Sequence, residues 1–329
     1  MSGAVAGDLA FDLRGPLPSG VTVLEASAGT GKTYTIAALA ARYVAEGTPL
    51  NRLLLVTFTR MATGELRDRV RERLVSAEQD LTRVLAGVSS EGMEDVVRLL
   101  AEGSLDEVRV RRDHLVRALA DFDSATIATT HQFCLEVLGG LGVAGESDPG
   151  VTFVEDLSDL VDEVVDDLYV RRYMAGGEPG ITRGQALEVA RAVVGNPTAP
   201  IEPLDAAGDG PPAVRARLAN RVRAELKERK ARMSVMTYDD LLTRLDDALS
   251  GVGGDLAAER LRARYQVVLV DEFQDTDPVQ WDILRRAFGS GGVTLVLIGD
   301  PKQAIYAFRG ADVFAYLEAA KTAGSEATL

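Results

Sequence analysis

The run from Val21 to Thr33 reads VTVLEASAGTGKT, and its order decides the fold. Val21 to Glu25 is short, apolar and partly β-branched, which reads as a buried strand. It enters a turn carrying Gly29 and Gly31, and the turn opens onto Thr33 to Ala45, an alanine-rich segment that favours a helix. Strand, glycine turn and helix, in that order, form the context of a phosphate-binding loop. The glycines let backbone N–H groups converge on phosphate oxygens, and the helix N-terminus adds a favourable dipole. Lys32 has the length to reach β- and γ-phosphates, and the Thr33 hydroxyl is placed to ligate Mg2+. Ala26, Ser27, Ala28, Gly29, Thr30, Gly31, Lys32 and Thr33 are therefore the expected ATP-binding residues, with Ala26 where such loops usually carry their first glycine.

Further apolar runs follow the same pattern. Residues 53–57 (LLLVT) form a continuous apolar run, as parallel strands buried on both faces do; 125–129 (ATIAT) read as a third strand, and 266–270 (QVVLV) and 293–298 (VTLVLI) as two more buried strands. Between them lie helical stretches: Met61 to about Val75, then a polar helical region over 77–121. The expected fold class is α/β with a parallel sheet. Residues 155–168 form an amphipathic helix with Leu157, Leu160, Val161, Val164, Val165 and Leu168 on one face, and its carboxylates read as a solvated face. Prolines 197, 200, 203, 211 and 212 mark 195–212 as a loop, followed by a basic helix over 213–232.

The strand at 266–270 ends in Asp271-Glu272. An apolar strand delivering an aspartate at its end is the second half of a nucleotide site. Asp271, with Thr33, is the expected Mg2+ ligand, and Glu272 is placed to orient and deprotonate an attacking water.

Composition sets outer limits. The chain has 329 residues, 46% apolar and 26% charged, as an ordinary globular protein does. One cysteine, Cys134, excludes an internal disulfide framework, and no secretory signal or membrane-spanning run is visible, so a cytoplasmic setting is expected. A net charge of −14 runs against the basic footprint of nucleic-acid binders, although a local cationic groove acts over only about 8 Å at physiological salt.

The remaining motifs resemble one family. Asp271-Glu272-Phe273-Gln274-Asp275-Thr276 looks like motif II of the UvrD/Rep helicases, and the run from Gly299 to Asp312 looks like their motif III. Val56-Thr57-Phe58-Thr59 with Ala62 resembles motif Ia, Ala128 to Cys134 resembles motif Ic, and Thr237 to Leu242 resembles the segment before motif II. Within the family the chain is most similar to the RecB type, carried by Glu25 to Ile36 and by Phe11-Asp12-Leu13 leading into Pro16-Leu17-Pro18. No glutamine occurs before Gln79, which departs from the UvrD pattern of an adenine-reading glutamine.

The resemblance implies an ATP-dependent 3′-to-5′ translocase on single-stranded DNA, working at duplex ends with RecC- and RecD-like partners. It implies that Gln303 senses the γ-phosphate beside the catalytic residues Lys32, Asp271 and Glu272. It implies DNA contacts from Thr57, Phe58, His131, Tyr306, Phe308 and Arg309. For Phe58 and Phe308 the alternative is core packing, for His131 a satisfied buried histidine, and for Arg309 a pair with Asp312. Residues 1–140 and 236–329 are expected to form a RecA-like domain, and 141–235 an inserted helical domain. The family's second RecA-like domain and a nuclease domain are expected to be absent from this stretch, so that the chain alone binds Mg-ATP but hydrolyses it slowly. A non-catalytic, ATP-gated DNA-binding or assembly module is the second reading. The arginines of 213–232, and Arg67, Arg69, Arg71 and Arg73, read equally as phosphate contacts or as solvated helical faces.

Overall fold

The computed structural model describes residues 10–27, 31–141, 151–154, 156–174, 180–197, 199–303 and 313–329. The chain divides into two compact units, 1–141 with 244–329, and 142–243.

The first unit is built on a six-stranded sheet. Its strands are β1 (Val21–Glu25), β2 (Leu53–Thr57), β3 (Thr126–Thr129), β6 (Val267–Val270), β7 (Thr294–Gly299) and β8 (Ser325–Thr328), in the spatial order β3-β2-β6-β7-β1-β8. Every pairing is parallel. Leu55 sits opposite Ile127 on one side and Leu269 on the other. The sheet is apolar on both faces because both are covered. Leu24, Leu53, Leu55, Leu269, Val296 and Ile298 join one core with α1 (Lys32–Ala45), α2 (Arg60–Leu85), α3 (Asp95–Leu100) and α4 (Leu105–Ala120). The alternate residues Val23, Leu54, Val56, Val268, Leu295 and Leu297 are equally buried and face the other way. Outside that core, Phe133 on α5 (Thr130–Leu141) and Phe288 on the helix Pro278–Phe288 are fully buried, with ring centres 6.0 Å apart.

Several boundaries differ from expectation. The helix expected to end near Val75 continues to Leu85, because Leu66, Val70, Leu74, Ala77 and Leu81 keep one buried stripe along it. The polar region after it resolves into the end of α2, α3 and α4, the last opened by a capping box of Ser104 and Glu107. Strand β8 is absent from the sequence reading. Its residues SEAT carry no apolar run, and it is held by parallel pairing to β1, with Thr22 Oγ1 3.0 Å from Ser325 Oγ.

The second unit is a helical bundle. Helices α6 (Ser158–Tyr173), α7 (Arg183–Gly195) and α8 (Pro211–Met233) pack through Leu160, Val164, Val165, Ala186, Leu187, Val222 and Leu226. Pro211 and Pro212 open α8, where a missing N–H goes unneeded. A two-residue parallel pair, β4 (Thr152–Phe153) with β5 (Val235–Met236), completes it. The acidic face of α6 is more than solvated. Asp166 pairs with Arg183, and Glu163 and Asp167 converge on the buried guanidinium of Arg229.

Candidate functional site

The carboxyl ends of β1, β6 and β7 lie side by side, and in open parallel sheets ligands bind in the crevice beyond such ends. After β1 the chain turns at Ala26, whose side chain is fully enclosed and whose N–H donates to the Gly299 carbonyl at 2.9 Å. Ala28, Gly29 and Thr30 lie outside the described residues. Gly31 follows with φ 85°, a left-handed conformation that favours glycine, and caps α1 without a side chain of its own. The N–H groups and dipole of a helix N-terminus suit an anion.

Lys32 points across the crevice. Its Nζ is 2.5 Å from Glu272 Oε2, and its side chain is 13% exposed. Thr33 is half-buried one residue later. From the other side β6 delivers Asp271, whose N–H donates to the Val56 carbonyl at 2.8 Å. Its carboxylate accepts the Glu272 N–H at 2.9 Å. Burial, reinforced by the neighbouring Glu272 charge, raises the Asp271 carboxyl to about 6. Asp275 rises to about 6 for the same two reasons. Glu272 itself has φ 51°, a strained backbone for a residue with a side chain.

Strand β7 brings Asp300, 3% exposed, beside them. Its carboxylate accepts from Gln303 Nε2 at 2.8 Å and from the Lys302 N–H at 3.0 Å. Gln274 bridges the two strand ends, donating to Glu272 Oε2 at 2.7 Å and accepting the Asp300 N–H at 2.9 Å. Lys32, Asp271, Glu272 and Gln303 are thus brought to one place. Gln274 and Asp300 join them there. Both stood within motifs already recognised, but spacing alone does not disclose a hydrogen bond between residues 26 positions apart.

The residues expected to meet DNA distribute differently. Thr57 ends β2 and is 1% exposed. Phe58, next along, and His131, in the first turn of α5, are half-buried and present surface. Tyr306, Phe308 and Arg309 lie outside the described residues.

The two arginine groups left open are largely engaged locally. On α8, Arg229 is enclosed by carboxylates, Lys230 binds Asp240, and Arg217 and Arg223 donate to loop carbonyls. Arg215, Arg221 and Lys227 are exposed. On α2, Arg71 lies over the Phe122 ring, Arg73 lies 4.5 Å from the Tyr34 ring centre and pairs with Glu94, Arg69 pairs with Glu72, and Arg67 reaches the Ala125 carbonyl.

Among the described residues no group of three or more histidine, cysteine, aspartate or glutamate side chains is arranged to hold a metal. A single carboxylate and a hydroxyl, Asp271 and Thr33, suit a hard cation that keeps its waters and takes further oxygens from phosphates.

A family model described as the UvrD/REP helicase N-terminal domain matches residues 15–324. The RecBCD enzyme subunit RecB of Mycolicibacterium smegmatis is 54% identical over 97% of this chain. That of Mycobacterium tuberculosis is 49% identical over 97% of it, and that of Escherichia coli 29% identical over 96%. The chain spans 29% of the length of the two mycobacterial relatives and 37% of the E. coli one.

Proposed function

This chain belongs to the UvrD/REP helicase N-terminal domain family, and on that premise we propose that it is the ATP-binding front part of a RecB-type, ATP-dependent DNA helicase. The observation that carries the reading is the convergence of Lys32, Glu272 and the Asp300–Gln303 loop at neighbouring ends of parallel strands.

In this reading residues 26–33 cradle the triphosphate, and the unit formed by 1–141 and 244–329 is the nucleotide-binding domain. Lys32 leaves Glu272 for the β- and γ-phosphates. Thr33 and Asp271 would hold Mg2+, which would supply neutralisation of the phosphate charge. Glu272, freed from the lysine, orients a water and takes its proton as the oxygen attacks the γ-phosphorus. The bond to the ADP oxygen breaks, giving ADP and inorganic phosphate. Gln303 reports the γ-phosphate to the segment after it, which with Phe58 and His131 contacts single-stranded DNA. Helices α6 to α8 belong to an inserted helical domain. The relatives' name, RecBCD enzyme subunit RecB, supports partners of RecC and RecD type. Work on DNA ends in the cytoplasm belongs to the same proposal. No helix among the described residues is long and apolar enough to cross a membrane.

The DNA assignment is tested by fluorescence anisotropy of a labelled single strand. Base stacking on an aromatic ring contributes about 1–3 kcal/mol, so Phe58→Ala is expected to weaken binding by about tenfold. Unchanged affinity in both Phe58→Ala and His131→Ala contradicts the DNA path.

A further inference from the structure

The amide of Gln274 lies between the ends of β6 and β7 and is 3% exposed. Its partners dictate its orientation. The Glu272 carboxylate only accepts, and the Asp300 N–H only donates. A side chain that satisfies both must offer a donor on one arm and an acceptor on the other. Glutamate would set acceptor against acceptor at Glu272, and methionine would fill the space while offering a hydrogen bond to neither partner.

This amide is one link in a connected set. Glu272 Oε2 receives both Lys32 Nζ and Gln274 Nε2. At the other arm Asp300 holds Gln303 through its second carboxylate oxygen. The contact is close enough to restrict its surroundings: a Cβ on Gly299 would come 2.7 Å from Gln274 Oε1. Glu272, in its strained backbone, is the residue that most needs an external hold.

From this set we infer that Gln274 is a positioning residue, coupling the orientation of Glu272 to the Gln303 loop. When a triphosphate draws Lys32 away, Gln274 remains as the donor on Glu272 Oε2 and keeps the carboxylate aimed. Its other arm ties that position to Asp300, and through Asp300 to Gln303. Occupancy of the γ-phosphate position is thereby shared between the two strand ends. The inference rests on the nucleotide reading proposed above.

The test is a pair of calorimetric titrations on the full chain, with Mg·ATPγS and with Mg·ADP. The unsubstituted chain is expected to prefer the triphosphate. Gln274→Met is expected to lower that preference about tenfold while leaving ADP affinity within about twofold, a coupling of ordinary size between linked sites. Gln274→Glu keeps the acceptor for Asp300 and loses the donor for Glu272, and it is expected to lower the preference likewise. It serves where the methionine variant does not fold. A preference unchanged in the folded variants, or both affinities falling together as a general structural defect would cause, overturns the inference and leaves the nucleotide site standing. An unsubstituted chain that binds neither ligand overturns the nucleotide site, and the inference with it.

Discussion

Asp271, the proposed Mg2+ ligand, lies at the end of β6 beside Glu272. Its carboxyl is raised from 3.8 to about 6, first by burial and then by Glu272. The folded chain therefore binds this proton more tightly than the unfolded chain does. The group favours the fold below pH 4 or so, and that contribution is lost as pH rises through about 6. Asp271→Asn is accordingly expected to stabilise the chain at pH 8, by about 1–3 kcal/mol in urea unfolding. The same change is expected to remove the Mg2+-dependent share of nucleotide affinity. In the unsubstituted chain that share should fall as the pH is lowered through about 6. Stability that drops in Asp271→Asn, with Mg2+ dependence intact, argues against a buried metal-binding carboxylate. At this scale the sequence disclosed residue types in a known order. It did not disclose the Lys32–Glu272 pair or the Gln274 bridge, because those depend on which strands become neighbours.

Elements show the same division. The strands legible in the sequence were those with an apolar requirement: β1, β2, β3, β6 and β7 are buried on both faces and are built mainly of Val, Leu, Ile, Ala and Thr. Strand β8 is held mainly by backbone pairing to β1 and left no such mark. Close approach leaves its own mark at the end of β7. Gly299→Ala places a methyl 2.7 Å from Gln274 Oε1 and 3.0 Å from the Gln274 backbone nitrogen. Overpacking of this kind costs about 1–3 kcal/mol, read as a lower urea midpoint at unchanged slope. A midpoint equal to that of the unsubstituted chain contradicts the packing at the strand end. On α8, Arg229 binds Glu225, Glu163 and Asp167 from a buried position. Arg229→Leu removes the cation these carboxylates share, leaving Glu225 with only its longer pairs to Arg171 and Arg232. Because Glu163 and Asp167 keep solvent access, the expected loss is about 1–2 kcal/mol, seen as faster amide exchange confined to α6 and α8. Exchange unchanged there contradicts a structural role for this arginine.

At the scale of the whole molecule, the order β3-β2-β6-β7-β1-β8 explains why residues far apart in sequence meet. Strands β1 and β6 flank β7, so Lys32 and Glu272 reach each other although 240 positions separate them. The unit of 142–243 is inserted between β3 and β6, so its length changes nothing in the sheet. The acidic total of −14 does not describe any one site, because many arginines are spent on local carboxylates and carbonyls. The central claim is that this sheet end binds a Mg2+ nucleoside triphosphate through Lys32. Its most direct measurement is equilibrium titration of the chain with Mg·ATPγS, beside the same titration of Lys32→Met. Saturable binding is expected, weakening at least about tenfold in the variant, as loss of a charge-assisted phosphate contact requires. Equal binding by both chains, or none by the unsubstituted one, would contradict it.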